Sequence, residues 1–172
     1  DLVGLEVDLD MNNDVYVTGW FNGTNVDFNP SGTAVNYLNS AGGTDSYVLK
    51  YSKTGSYLWA KSFGSTLNDA GNSLSLNGSE VLITGDFKNT VDFDPGPAVY
   101  NLTSNGASDI YVGRLDTMGN FICAENIGGL LDDIGYTIKS IAIDSFLMSG
   151  NYSTNNIDFD PSAGTMIRTN AG

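Results

Sequence analysis

One short stretch recurs three times, as Val26-Asp27-Phe28-Asn29-Pro30, Val91-Asp92-Phe93-Asp94-Pro95-Gly96 and Ile157-Asp158-Phe159-Asp160-Pro161, at spacings of 65 and then 66 residues. A fixed period of this length marks a repeat architecture, in which each unit buries its apolar face only against its neighbours. The recurrence extends on both sides. The segments 15–21, 81–87 and 146–152 precede it, and 45–51 with 109–115, then 57–64 with 121–128, follow it in the same order. The chain of 172 residues therefore divides into about two and a half copies of one unit, at 1–67, 68–131 and a partial third at 132–172.

Each unit reads as short strands joined by turns. Strand A runs from Gly4 to Leu9 with Leu5, Val7 and Leu9 at alternate places, and its counterparts start at Gly71 and Gly135. The turns Asp10-Met11-Asn12-Asn13 and Asn77-Gly78-Ser79 hold residues that tolerate left-handed backbone angles, so A should form a hairpin with strand B. Strand B covers 14–21, 80–87 and 145–152, and is apolar on both faces in its first half, which requires cover on both sides. The small pairs Thr18-Gly19, Thr84-Gly85 and Ser149-Gly150 then permit a bulge or the close approach of a neighbouring backbone. A loop of about twenty residues carries the Asp-Phe-Asp-Pro stretch and a second apolar patch at Val35–Leu38 or Val99–Leu102, and so predicts either a functional loop or a small extra hairpin. Strand C covers 46–51 and 110–115, and strand D 56–63 and 121–127. Tyr47, Tyr111, Trp59, Phe63, Phe87 and Phe93 recur at fixed strand positions as core.

Four antiparallel strands per unit of about 65 residues, apolar on both faces, predict an all-β fold of the β-propeller kind, with an incomplete ring in this chain. A solenoid of β-strands is the alternative, although its repeats are usually shorter and rarely carry four strands. The motifs Val-Tyr-Val-Thr-Gly, Val-Asp-Phe-Asp-Pro-Gly, Asp-Ser-Tyr-Val-Leu-Lys-Tyr and Trp-Ala-Lys-Ser-Phe-Gly together resemble the bacterial SBBP-type β-propeller repeat over the whole chain. The resemblance implies rings of about six to eight blades in large secreted or cell-surface bacterial proteins, usually without an assigned activity. Cys123 in place of tryptophan, Glu125 in place of lysine and the shortened third repeat depart from the pattern and bear on local packing.

A net charge of −13 with seven basic residues disfavours a nucleic-acid backbone or an anionic membrane surface as partner. It suits a solvated surface, or affinity for cations such as calcium. One cysteine excludes an internal disulfide, and Cys123, at the position of Trp59, reads as a small core hydrophobe. No apolar run is long enough to span a bilayer. Because the chain opens on Asp1 and stops within its third repeat, it is expected to be a piece of a longer protein.

In Asp92-Phe93-Asp94 the two carboxylates fall on one side of an extended segment and the ring on the other. Two uses follow. Phe93 can anchor the loop while the aspartates cap backbone amides. Alternatively Asp27, Asp92, Asp94, Asp158 and Asp160, with loop carbonyls, can form calcium sites repeated around a ring, weakened in the first copy by Asn29. Asp8 to Asp14 places oxygen side chains at every second position, as a calcium loop begins, but lacks the glycine and the final glutamate, so a hairpin turn with solvated aspartates is expected. Trp20 and Tyr37 are less bound to the repeat and could stack on sugars if exposed. The chain has no histidine, and its three glutamates, Glu6, Glu80 and Glu125, do not suggest a glycosidase dyad. The function expected is a non-catalytic extracellular or cell-surface module that binds protein or glycan partners or acts as a scaffold, needing no cofactor beyond possible calcium. The alternatives are the propeller portion of a secreted enzyme, or a calcium-stabilised carbohydrate-binding propeller.

Overall fold

The computed structural model describes residues 1–142, 145–153, 157–158 and 167–168, and among these there is no helix. The first repeat forms β1 (Leu2–Leu9), β2 (Val15–Phe21), β3 (Val26–Asp27), β4 (Tyr37–Leu38), β5 (Asp45–Tyr51) and β6 (Tyr57–Phe63). Four of these make an antiparallel sheet in the order β1-β2-β5-β6, while β3 and β4 pair with each other as a small hairpin. The second repeat forms β7 (Ala70–Leu76), β8 (Glu80–Asp92), β9 (Asn101–Asp116) and β10 (Phe121–Ile127), again antiparallel and in the same order. Here β8 and β9 run on beyond the sheet, so the extra hairpin is one continuous ribbon, re-registered between Lys88 and Thr90. In the third repeat β11 (Asp133–Ala142) pairs with β12 (Ser145–Tyr152), and β13 (Ile157–Asp158) with β14 (Ile167–Arg168). The four-stranded antiparallel unit read from the sequence is thus present twice in full.

The Thr-Gly step works as its residue types suggest. Opposite it each strand A shifts register, between Gly4 and Glu6, Gly71 and Ser73, and Gly135 and Thr137. The bulge brings a strand A carbonyl so close that a Cβ on Gly19, Gly85 or Gly150 would overlap Val3, Ala70 or Ile134 respectively. Only glycine leaves room for it.

Successive sheets pack face to face. Tyr16, Val48 and Phe63 of the first sheet meet Leu74, Ile83 and Tyr111 of the second in one buried cluster, and Leu82 and Val112 of the second meet Ile138 of the third. Covering both faces of β8 explains its uninterrupted apolar run, and each large apolar side chain so buried contributes about 1.5–3 kcal/mol. The Tyr111 hydroxyl, inside the first junction, is bonded to Ser46 Oγ at 2.7 Å.

Strand A is the edge of its sheet and leaves backbone N–H groups unpaired. The preceding sheet supplies their acceptors by side chain. Leu76 N donates to Asp8 Oδ2 at 3.2 Å, Ile138 N to Ser73 Oγ at 3.2 Å and Ser140 N to Ser75 Oγ at 3.2 Å. Asp8 and Ser75 hold equivalent places in their repeats, as do Leu76 and Ser140, so this contact itself repeats.

Candidate functional site

The recurrent Asp-Phe-Asp/Asn-Pro stretch closes the extra hairpin of the first and second repeats. Asp92 Oδ1 accepts from Asp94 N at 3.1 Å and from Tyr100 N at 2.8 Å, and Asp94 Oδ1 accepts from Gly96 N at 2.7 Å. In the first repeat Asp27 Oδ1 accepts from Asn29 N and Asn36 N, both at 2.9 Å, and Asn29 Oδ1 from Ser31 N at 3.0 Å. These are Asx turns that clasp the two arms of the hairpin. Between the carboxylates the ring points inward: Phe28 is 1% exposed and Phe93 2%. Phe93 meets Phe87 edge-on at 5.3 Å and Phe63 of the preceding sheet at 5.9 Å, whereas Phe28 meets Phe21 and Tyr47 of its own sheet.

Of the five aspartates considered for calcium, Asp92 and Asp94 share one turn and Asp27 stands on another. Asp158 is described only as a backbone partner of Ile167, and Asp160 lies outside the described residues. Among the described residues no three or more carboxylates or thiols gather as a metal centre. The clasp makes a separable prediction. Asp92→Asn keeps an oxygen for both amides and should leave the melting temperature close to that of the parent, while Asp92→Ala should lower stability by about 1–2 kcal/mol. Calorimetry with and without added calcium checks this; a calcium-dependent rise seen in the parent and lost in Asp92→Asn would instead make the turn a cation site.

The turn from Asp8 to Asp14 differs from the solvated turn expected. Asp10 Oδ1 accepts from Asn12 N at 2.8 Å and Asp14 N at 3.0 Å, with Asn13 at a left-handed φ of 61°. The other oxygens face a buried ammonium: Lys50 Nζ of β5 lies 3.4 Å from Asp10 Oδ2 and 3.2 Å from Asp14 Oδ2, and 4.8 Å over the Tyr16 ring. The chain thus fills this calcium-like spacing with its own cation. Burial works against the charge on Lys50, but hydrogen bonds to Tyr16 and Asp14 outweigh it and its pKa ends above the ordinary value. Burial likewise opposes ionisation of Asp10, yet the amides of Asp14 and Asn12 hold its pKa below the usual range. The next repeat keeps the pairing with other residues, as Arg114 donates from Nε and Nη2 to Glu80 Oε2.

Tyr16, Lys50 and Trp59 also converge on a single acceptor, the carbonyl of Thr117, in the turn between β9 and β10. Trp59 is therefore a half-exposed socket for the next sheet's turn rather than plain core. Cys123, its counterpart, is half-buried, and burial pushes its thiol up, away from reactivity. Trp20 is half-buried on β2 and Tyr37 is 53% exposed on β4; no ring contact joins them into one stacking surface.

Four residues passed over in sequence are the most deeply placed charges among the described residues: Asp45, Asp69, Asp109 and Asp133, all 0–3% exposed at the crossovers between sheets. Burial pushes Asp45 up to about 6, with the carboxylate of Asp69 adding to it, and raises Asp69 and Asp109 as well. The available signal was their spacing, since Asp45 and Asp109 each stand 19 residues before a glycine, Gly64 and Gly128. No protein-family model matches the chain, and no curated protein is significantly similar to it.

Proposed function

We propose that the chain is part of a β-propeller of the SBBP-type repeat, each four-stranded sheet being a blade, and that it serves as a non-catalytic extracellular or cell-surface scaffold for protein or glycan partners. The observation that carries this reading is the repetition of the junction itself, with the contact from Asp8 to Leu76 reproduced one repeat later from Ser75 to Ser140. A junction that repeats with equivalent residues adds copies by one constant operation, and radial addition is the solution that suits four-stranded units. The outer faces agree with it. Val7 is 58% exposed where its counterparts Leu74 and Ile138 are each 3% exposed, and Leu147 is 64% exposed where Tyr16 and Leu82 are 0% and 2%. Both faces fit further blades. The clasping aspartates support a scaffold rather than a catalyst, since they recur in two repeats with the same backbone partners.

Negative-stain images of the protein together with the further repeats that would complete its ring test the architecture: face-on rings with a central hole are expected, and rods that lengthen with repeat number would overturn it. Binding is tested on arrays of glycans and of surface proteins, with Tyr37→Ala as the companion variant because its exposed side chain can be removed without loss of core. Retention of a ligand by the parent is expected. A protein that retains none on either array would overturn the binding role.

A further inference from the structure

Two carboxylates meet at each crossover from one sheet to the next. Asp45 opens β5 and Asp69 immediately precedes β7; one repeat later Asp109 lies within β9 and Asp133 opens β11. The second member of each pair is fully engaged. Asp69 accepts from Ser65 N at 2.6 Å and Lys88 N at 2.7 Å, and Asp133 from Gly129 N at 2.9 Å and Ser153 N at 2.8 Å. These bonds fold the crossover and tie it to the following sheet.

The first member of each pair is not fully engaged. Asp45 Oδ2 accepts from Ala41 N at 3.0 Å, and Asp109 Oδ2 from the backbone and side-chain nitrogens of Asn105 and from Asn126 Nδ2 at 3.2 Å. In both residues Oδ1 is buried with no hydrogen-bond partner. Each carboxyl is pressed against a glycine, Gly64 or Gly128, where any Cβ would overlap it. A buried anionic oxygen without a donor is among the costlier arrangements a protein can hold. That it occurs twice, at equivalent positions, makes it a property of the repeat.

The surroundings do not neutralise it. Asp45 faces Asp69, which has Lys88 and Asp86 near it from the second sheet. Asp109 faces Asp133, and the neighbouring Asp132 is taken up by Ser108, accepting from its N and Oγ. Apart from Lys88, these charged neighbours are acids.

We propose that Asp45 and Asp109 are protonation switches of the sheet junctions: each takes up a proton as the solution is acidified, which tightens the packing of successive sheets, and releases it as pH rises, which loosens that packing. The proton removes the buried charge on the orphaned oxygen and the repulsion from Asp69 or Asp133. The sign follows from linkage. A carboxyl whose folded-state pKa is raised contributes stability that is full below its unfolded value, about 3.9, and is lost as pH rises through the folded value, about 6 for Asp45. This inference rests on the crossovers alone and stands whether or not the sheets close a ring.

Melting temperature measured from pH 4.5 to 8 tests it, for the parent, for Asp45→Asn with Asp109→Asn, and for Glu125→Gln as a control for lost net charge. The parent is expected to melt about 3–6 °C higher at pH 5 than at pH 7.5. The double variant should lose most of that difference and the control should keep it. A parent with no gain in acid, or a double variant with the parent's full slope, would overturn the proposal. Should the double variant fail to fold, carboxyl-carbon NMR titration of the parent decides: a midpoint near 6 for Asp45 together with one above the free carboxyl value for Asp109 supports the switch, and a midpoint at or below the free value for either overturns it.

Discussion

Replacing Phe93 by alanine is expected to lower stability by about 3–5 kcal/mol, the range for deleting a fully buried aromatic side chain. The ring is the anchor of the second hairpin and also part of the junction between sheets, in contact with Phe87 and Tyr111 of its own sheet and with Phe63 of the preceding one. Its removal leaves a cavity shared by two units, which neither can collapse alone. Phe28→Ala is the internal comparison, because that ring meets Phe21 and Tyr47 of a single sheet; its cost should fall at the lower end of the range. Urea denaturation of the two variants side by side measures the difference. Equal costs would show that the contact with Phe63 adds nothing to the junction.

Lys50→Met should be nearly as damaging. It removes the ammonium of a lysine that is 8% exposed and leaves Asp10 and Asp14 facing each other without their cation, a change that costs about 3–5 kcal/mol when a buried pair is broken. The effect carries a pH signature. In the parent the depressed pKa of Asp10 contributes stability present at neutral pH and lost as pH falls through the folded value. Without Lys50 that contribution shrinks, so the gap between variant and parent should be widest near neutrality and narrow in acid. Adding Asp10→Asn and Asp14→Asn to Lys50→Met should restore more than half of the lost stability. A triple variant no better than the single one would show that Lys50 acts through its packing over Tyr16 and not through its charge.

The strand pattern was legible because its signals are local. Alternation, turn residues and the Thr-Gly step each act within a few positions, and the structure places β1, β2, β5 and β6 where they predict. The clasp was legible as one of two uses of the same residues, since Asp92 and its amide partners lie within eight residues of each other. Partnerships across long separations were not legible. Nothing in Asp10-Met11-Asn12-Asn13-Asp14 points to Lys50, and nothing near Trp59 points to the carbonyl of Thr117. Asp45 and Asp27 look alike as aspartates beside strands, yet one is buried with an orphaned oxygen and the other closes an exposed turn. What separates them is the sheet that follows in space, which a reading of the flanking residues does not contain.

The acceptors that Asp8, Ser73 and Ser75 offer to the first strand of the next sheet bear on how such a chain can grow. The second unit carries both halves of the contact, the oxygens of Ser73 and Ser75 for its successor and the Leu76 N–H for its predecessor, whereas the third has Lys139 where Asp8 and Ser75 stand. Tandem duplication of the segment that codes for the second unit would therefore deliver a newcomer already fitted to both neighbours, with no compensating substitution needed. Conversely, recombination that joined two units out of phase would set donor against donor along this seam, and would be removed by selection before any effect on a ligand could matter.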